Sequence, residues 1–246
     1  MIRKIIILVG ALVLGFGTLR AEEMDGQALV QSAVEYYRGK ASISKVKMTI
    51  HRPDWERTLT IKAWTQGTKD SIFYVVSPPK DKGNGTLKKG SEMWTYNPKI
   101  NRVIKLPPSM MSQAWMGSDF SNDDLLKESS IVVDYSHRIT GEETLNGQDC
   151  YVIELLPHED AAVVWGRILK WVSKEEYLQM KSEYYDEEDY LIKTELAYDI
   201  RTMDGRVIPT RFELIPQEEE GHKTVVVMEH IEFNKPIEDS FFSQQN

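Results

Sequence analysis

The sequence predicts a mainly β protein in which one helix is followed by a long antiparallel meander of strands. Apolar and polar residues alternate over most of the chain, as in SKVKMTIHR at residues 44–52, and this pattern indicates strands with one buried face. Turn signals such as Asn146-Gly147 and Asp204-Gly205 separate the strands, and tight hairpins favour these dipeptides. Because a long sheet has to protect its edges, we expect it to curl into a barrel or to be covered by a helix.

The predicted helix lies in DGQALVQSAVEYYRGK, residues 25–40, where apolar residues recur at helical spacing. Asp25 is a favourable N-cap, because its side chain can accept a hydrogen bond from the first turn. Gly39 suits the left-handed conformation that often ends a helix.

Strands are predicted for almost every later apolar segment, and hairpin turns join most of them. The predicted strands are residues 44–52, 57–64, 71–77, 92–96, 102–106, 130–140, 149–156, 166–173, 176–185, 190–200, 206–215 and 223–233.

An apolar loop interrupts the meander at LPPSMMSQAWMGSDF, residues 106–120. Two prolines prevent the preceding strand from continuing, and Ser121 or Asn122 can cap a short helix after the loop. Three methionines, a tryptophan and a phenylalanine in one loop need an apolar surface to lie on. We therefore expect a loop with one or two helical turns that covers the sheet.

The N-terminus has the three parts of an export signal: Arg3 and Lys4, the apolar run IIILVGALVLGFG, and LRA with Ala21 at the expected cleavage point. We predict a cleaved signal peptide at residues 1–21 and a secreted mature chain at 22–246. No cysteine follows the cleavage point, so we do not expect the mature chain to carry a lipid anchor of its own.

The mature chain is acidic. Cleavage removes Arg3, Lys4 and Arg20, which leaves 27 basic residues against 38 acidic ones and moves the formal net charge from −8 to −11. This balance argues against a nucleic-acid partner. Cys150 is the only cysteine and sits in an apolar strand pattern, which predicts a buried structural thiol. The mature length fits one large β domain, since no Pro/Ser/Gly-rich linker divides it.

Reactive groups do not converge in recognisable motifs. The chain has no G-x-S-x-G, H-E-x-x-H or C-x-x-C motif and no Gly-rich phosphate loop. Its five histidines stand singly, and no pair has ligand spacing with a carboxylate. His158 and Asp160 form the best remaining catalytic candidate. We predict a protein that is not an enzyme and has neither a metal site nor a cofactor.

Large adaptable apolar side chains are concentrated in one part of the chain, and methionine-rich surfaces recur at binding sites that accept varied shapes. We predict a lipid-binding cleft or lid. An alternative is that these residues are permanent core under a covering helix. The predicted binding residues are Trp64, Phe73, Trp94, Tyr96, Met110, Met111, Trp115, Met116 and Phe120.

The segment KKGSEMWTYNPKINRVIKLPPSMMSQAWMGSDFSNDDLL resembles the outer-membrane lipoprotein-sorting family, the LolA-like proteins, in its KG-x-x-x-W-x-Y-x-P and MGSDF-x-N-D-D-L patterns. The later segments WVSKEEYLQMKSEYYDEEDYLIKTE, MDGRVIPTRFEL and IEFNKPIEDSFFS also resemble that family. The resemblance implies an unclosed, strongly curved antiparallel β-barrel with helices across its opening and a hydrophobic cavity beneath them.

The same resemblance implies a soluble, monomeric periplasmic carrier that shuttles a lipoprotein or lipid between the inner and outer membranes. Its expected partners are acyl chains, an inner-membrane transporter of ABC or RND type and an outer-membrane acceptor. This chain is longer than the best-known members, and its MM-x-Q-x-WMGSDF loop resembles a subgroup associated with RND-type exporters. The alternative function is a periplasmic sensor or binding module that recognises an envelope protein with the same sheet.

Overall fold

The computed structural model describes residues 25–128 and 130–244 and shows a mainly β chain, as predicted. The predicted signal peptide, residues 1–21, lies outside the described residues. Within the described ranges, one antiparallel sheet contains thirteen strands. They are β1 Ala41–Arg52, β2 Trp55–Gln66, β3 Asp70–Ser77, β4 Gly85–Lys89, β5 Glu92–Asn97, β6 Arg102–Lys105, β7 Tyr135–Leu145, β8 Gln148–Pro157, β9 Arg167–Ser173, β10 Gln179–Tyr185, β11 Leu191–Met203, β12 Arg206–Pro216 and β13 Lys223–Phe233.

The first and last strands, β1 and β13, pair side by side, and this pairing sets the order of the sheet. From β1 the strands β2 to β6 follow in chain order on one side, and from β13 the strands β12 back to β7 follow on the other. The two edges are therefore β6 and β7, and the curved sheet stays unclosed, as the resemblance implied. The connection between these two edges, residues 106–128 and 130–134, is called the crossing segment below.

Helix α1, Gly26–Arg38, forms where the sequence predicts it. Asp25 accepts a hydrogen bond from the backbone N–H of Gln27 at 2.9 Å, and Gly39 ends the helix with a φ of 66°. Its buried face packs against strands β7 to β9 through Leu29, Val30 and Ala33. The helix thereby covers one end of the sheet.

The crossing segment contains short helical turns, as expected for the apolar loop. Ser121 caps α2 through a capping box: its side chain accepts from the N–H of Asp124, whose carboxylate accepts from the N–H of Ser121. The helical elements are α2 Asn122–Leu126, α3 Ser130–Val133 and the 3-10 turns Pro108–Met110 and Trp115–Gly117. Among the described residues, no helix has the length and apolarity needed to span a bilayer.

Both α1 and the crossing segment cover the same face of the sheet, which we call the inner face. Residues that lie opposite each other in adjacent antiparallel strands share a face, so the register assigns every strand position to the inner or the outer face. One inner-face row runs through Ile153, Lys170, Ser182, Glu195, Leu214, Thr224 and Ile50. The polar side chains of Lys170, Ser182 and Glu195 therefore stand together in the middle of this face, between apolar Ile153 and Leu214.

The tight turns follow the sequence prediction. Asn146 and Gly147 have φ values of 50° and 79°, and Asp204 and Gly205 have φ values of 46° and 78°. Two successive residues with positive φ are what a type I′ hairpin turn requires. The hairpins β7–β8 and β11–β12 are closed by these turns.

Two local predictions are wrong. Strand β4 was missed because it is short and carries Gly85 and two lysines, a composition that disfavours strands. Residues 130–133 were predicted as the start of a strand because Ile131, Val132 and Val133 are β-branched, but they form α3. The side chain of Gln27 donates to the carbonyl of Val132 and His137 Nε2 lies 2.8 Å from the carbonyl of Ile131, so side chains of α1 and β7, and not a strand backbone, contact these two backbone oxygens.

The outer face of strands β2 to β5 is covered by the C-terminal segment, which includes the 3-10 turn Asp239–Phe241. Phe242 is fully buried there, and its ring meets that of Phe241 edge to face, with 5.6 Å between centroids. It packs in one cluster with Ile72 and Leu87, against which Trp64 and Trp94 also pack. The C-terminal segment is thus part of the folded core.

We expect Phe242→Ala to lower the free energy of unfolding by roughly 3–5 kcal/mol, because it leaves a cavity in a fully buried cluster. Urea unfolding followed by far-UV circular dichroism measures the change. Tyr190→Ala is the matched control, since Tyr190 is 65% exposed, and a change within about 0.5 kcal/mol is expected there. Similar losses in the two variants would contradict a structural role for the C-terminal segment.

Candidate functional site

A cavity of about 270 Å³ lies between the inner face and the elements that cover it. Strands β9 to β12, helix α1 and the crossing segment contribute its walls. This volume is just below the roughly 300–1,000 Å³ of typical small-molecule pockets, so a long ligand requires the cover to move. The apolar wall includes Val34, Leu125, Ile131, Met180, Phe212 and Leu214.

Lys170 brings an ammonium group to the wall of this cavity. The residue is only 3% exposed, and its Nζ donates to Gln179 Oε1 and to Ser182 Oγ, both at 3.0 Å. An ammonium has three N–H donors, yet both of these partners are neutral. No carboxylate among the described residues lies within ion-pair distance of Lys170. Burial lowers the pKa of Lys170, which Glu195 partly offsets.

Lys193 also lines the cavity, but it has a charged partner. Its Nζ lies 2.5 Å from Asp124 Oδ2 of the crossing segment, and both side chains are largely buried. The same ammonium lies 4.7 Å from the ring centre of Trp165 and 5.1 Å from that of Tyr184, within the range of a cation–π contact. This ion pair fastens the crossing segment to strand β11.

Glu195 and Tyr184 complete the polar part of the wall. The Tyr184 hydroxyl donates to Glu195 Oε2 at 3.3 Å. Burial raises the pKa of the Tyr184 hydroxyl well above its ordinary value and also raises the pKa of Glu195, although Lys170 and Lys193 oppose the shift at Glu195. The cavity is therefore apolar over most of its wall, with ionisable groups contributed by strands β9 to β11 and by the crossing segment.

Polar contacts hold the rest of the crossing segment in place. Lys88 Nζ on β4 donates to the carbonyl of Leu125 at 2.9 Å, and Arg38 at the end of α1 forms an ion pair with Glu128 at 2.7 Å. Asp119 forms an ion pair with Arg52 at 3.0 Å and accepts from Thr224 Oγ1 at 2.6 Å. The crossing segment is tied to β1, β4, β11, β13 and α1 in this way.

Trp115 is the apolar anchor of the segment. It is 7% exposed and packs on β1 to β3 with Met48, Leu59 and Val75. Its ring lies edge-on to that of Phe73, with centroids 5.3 Å apart, and its indole N–H donates to Thr86 Oγ1 at 3.0 Å. A second cavity of about 360 Å³ lies beside it and is lined by Met110, Trp115 and Met116.

The nine residues predicted from sequence are not brought to one place. Phe120 lines the cavity of about 270 Å³, while Met110, Trp115 and Met116 line the one of about 360 Å³. Phe73 packs on Trp115 at the inner face. Met111 is partly buried, and its carbonyl accepts from the N–H of Asp123 at 2.8 Å.

Three predicted residues lie on the outer face instead of in the cleft. Trp64 and Trp94 belong to the row that runs through Ile72 and Leu87 and lie under the C-terminal segment. Tyr96 is two residues beyond Trp94 and so has the same orientation; its hydroxyl donates to Asn101 at 3.0 Å in the adjoining turn. Alternation along one strand shows which residues share a face, but it does not show which face is covered.

Sequence reasoning missed the ionisable cluster of Lys170, Lys193, Glu195, Tyr184 and Asp124. The predicted strands contain a signal for this cluster. Lys193, Glu195 and the buried Ala197 occupy every second position of one strand, so their side chains share a face. In RILKWVS, Lys170 likewise stands between Ile168 and Val172 on one face. A lysine at the inward position of a strand is expensive to bury, so such positions mark candidate binding residues.

The groups considered for catalysis or metal binding occupy other places. His158 and Asp160 are exposed in a turn. Cys150 is fully buried, and burial raises the pKa of its thiol to about 11, as expected for a structural cysteine.

Folding does bring His222, Glu219 and Asp119 together, with ligand atoms within 4.8 Å of one another. The proximity of His222 to two carboxylates was not evident from residue spacing. Asp119, however, already forms the ion pair with Arg52 and accepts from Thr224. A cation there would face the Arg52 guanidinium, so these three residues do not make a convincing metal site.

Comparison with known proteins places the chain in a family. A family model described as "Uncharacterized protein" matches residues 67–246. No curated protein matches the sequence. The crystal structure of a DUF1329 family protein from Desulfovibrio piger is 26% identical, with a TM-score of 0.79, and the match covers 90% of this chain and 99% of that one.

Two further crystal structures share the fold at lower identity. An outer membrane lipoprotein-sorting protein domain from Vibrio parahaemolyticus is 20% identical, with a TM-score of 0.78 over 89% of this chain and 97% of that one. A LolA superfamily protein from Nitrosomonas europaea is 22% identical, with a TM-score of 0.75 over 90% of this chain and 99% of that one. The resemblance found in the sequence is thereby confirmed. The chain belongs to the uncharacterized family whose model covers residues 67–246, and its fold is that of the lipoprotein-sorting and LolA superfamily structures.

Proposed function

We propose that this chain is a periplasmic carrier that shelters acyl chains of a lipoprotein or lipid in the cavity between strands β9 to β12 and the crossing segment and shuttles them between the inner and outer membranes. The observation that carries the proposal is the mostly apolar cavity of about 270 Å³ beneath the crossing segment. Sheltering an acyl chain is worth about 0.8 kcal/mol per buried CH₂. An apolar cavity under a detachable cover supplies that gain without any catalytic group.

The crossing segment has the properties of a cover that opens. Among its described residues, only Leu106 and Trp115 are buried apolar side chains. Elements with few buried apolar contacts open at low free-energy cost. The polar groups that hold the segment gain water as partners when it lifts, which limits the cost of breaking those contacts. We expect residues after Trp115 to move while Trp115 keeps the segment anchored.

The loop residues predicted from sequence keep a role in this proposal. Phe120 contributes to the proposed acyl-chain cavity, and we propose that Met110, Met111 and Met116 adapt to the acyl chain as the segment moves. Their flexible side chains can repack around different shapes. Trp115, with Phe73 behind it, then acts as the fixed end of the cover.

The route of the cargo extends the same proposal. The expected signal peptide and the lipoprotein-sorting proteins that share this fold support a periplasmic location. The partners that fit such a carrier are an inner-membrane transporter of ABC or RND type as donor and an outer-membrane acceptor. We propose that the mature chain, residues 22–246, acts as one monomeric domain between them.

The first test is native mass spectrometry of the mature protein purified from its own periplasm, followed by extraction and identification of bound lipid. We expect an acylated species on the wild type and its loss in Ala197→Phe, because Ala197 is buried on the cavity wall and a phenyl ring would fill the space. Ala28→Phe is the matched control, since Ala28 is exposed on α1, and it should retain the lipid.

Other results of this experiment argue against the carrier. A clean apo mass that persists after incubation with envelope lipids and lipoprotein would contradict it. A stoichiometric protein partner without lipid would favour the sensor or binding module instead. Equal lipid occupancy in Ala197→Phe and in the wild type would move the binding site away from this cavity.

Breaking the ion pair between Lys193 and Asp124 should loosen the cover. In Lys193→Met we expect amide hydrogen exchange of residues 119–128 to rise at least severalfold, because a largely buried carboxylate then loses its partner. Lipid uptake should accelerate in parallel. Lys127→Met is the control, since it removes the Lys127–Asp123 ion pair within the segment without detaching it from the sheet. Equal exchange in both variants would contradict a fastening role.

The pH dependence of stability tests the contact made by Lys88. Burial lowers its pKa from 10.5 to about 8, so between these values the unfolded chain binds the proton more strongly than the folded chain does. The contribution of Lys88 to the free energy of unfolding should therefore rise with pH through this window. Urea unfolding of the wild type and of Lys88→Met should show that the free energy of unfolding of the wild type increases relative to that of the variant from pH 8 to 10.5.

Lys82→Met changes an exposed lysine and reports the effect of losing one charge alone. A constant difference between wild type and Lys88→Met across the window would mean that the Lys88 ammonium is not desolvated beneath the crossing segment.

A further inference from the structure

The Lys170 ammonium is a charged group in a buried position, which is unfavourable unless a partner compensates for the lost water. It is 3% exposed on the wall of the cavity of about 270 Å³, and both its hydrogen-bond partners, Gln179 and Ser182, are neutral. Burying a charge without an opposite charge is costly. A carrier that sheltered only hydrocarbon would be better served by leucine or methionine at this position.

The contrast with Lys193 shows what Lys170 lacks. Lys193 has Asp124 at 2.5 Å and two aromatic rings beside its ammonium. Glu195 shares the inner-face row with Lys170 but sits two strands away and forms its hydrogen bond with Tyr184. Within the described part of the chain, the remaining N–H donor of Lys170 has no protein partner. It is available to an acceptor inside the cavity.

We propose that Lys170 binds the carboxylate of a single-chain fatty acid whose hydrocarbon chain occupies the apolar part of the same cavity. This inference rests on the proposed carrier function and names the class of ligand. The head group is anionic because it meets an ammonium that has no charged partner. It carries a single charge because Glu195 and Asp124 line the same cavity and would repel a doubly charged phosphate.

The dimensions agree with this ligand. A volume of about 270 Å³ in the closed form has space for one chain with a compact head group rather than for a lipid with two chains and a large head group. Apolar side chains of the opposite wall, Val34 and Ile131, come from α1 and the crossing segment, while Lys170 and Ser182 come from the sheet. The cavity thus offers polar and apolar side chains together, as an amphiphile requires.

Isothermal titration calorimetry with dodecanoate and with 1-dodecanol tests the proposal, because the two ligands share a chain and differ in the charged head group. A charge-assisted hydrogen bond corresponds to roughly ten- to a hundredfold in affinity. We expect wild type to prefer dodecanoate by that factor and Lys170→Met to lose the preference while still binding 1-dodecanol. Lys99→Met, a change at an exposed lysine in the β5–β6 turn, should keep the preference.

Each alternative result has a distinct meaning. Equal affinity of the wild type for dodecanoate and 1-dodecanol would overturn the head-group assignment and leave the carrier function standing. Equal loss of both ligands in Lys170→Met would make Lys170 a structural residue. Binding of neither ligand to the wild type would count against the carrier itself. If Lys170→Met does not fold, as judged by near-UV circular dichroism, Lys170→Gln and the wild-type comparison still decide the question.

Discussion

The pairing of β1 with β13 is the constraint on which the rest of the structure depends. Because the first and last strands meet in the middle of the sheet, the strands at its two edges, β6 and β7, are neighbours in sequence. The chain between them has to travel from one edge to the other, and the shortest way leads across the inner face. The apolar loop at residues 106–120 is part of this passage. Its Trp115 and Met116 pack on the inner face of the sheet as part of this passage.

A consequence of this arrangement is that buried lysines of the sheet, in addition to the apolar anchor Trp115, hold the crossing segment. Lys88 reaches the carbonyl of Leu125, and Lys193 reaches Asp124. Both lysines point inward from strands, where apolar residues would stabilise the sheet more. The fold thus places charges where they weaken the core but fasten the crossing segment to the sheet. Such conflicts between local stability and packing are concentrated at functional sites in proteins.

Much of the fold could be predicted from the sequence because it is encoded locally. Asp25 and Gly39 define α1, and Asn146-Gly147 defines a hairpin. The site depends on information that is not local. Trp64 and Trp94 were assigned to the cleft because they are large and apolar, yet the covered outer face is as apolar as the inner one. Only the pairing of distant strands decides between the faces, and the same pairing gathers Lys170 and Glu195 into one row.

The closed cavity and the polar attachments of its cover together set a lower limit on the ligand. Opening breaks the Lys193–Asp124 and Arg38–Glu128 ion pairs and the contact of Lys88 with Leu125, each of which water replaces in part. Each methylene that enters the cavity returns about 0.8 kcal/mol. The free energy gained by burying a short chain is therefore too small to offset the contacts that are lost when the cover closes imperfectly over it. The gain from a longer chain is large enough. In the proposed carrier, retention would then depend on chain length through the sheet's apolar wall and on head-group charge through Lys170, so one cavity would discriminate by both properties at once.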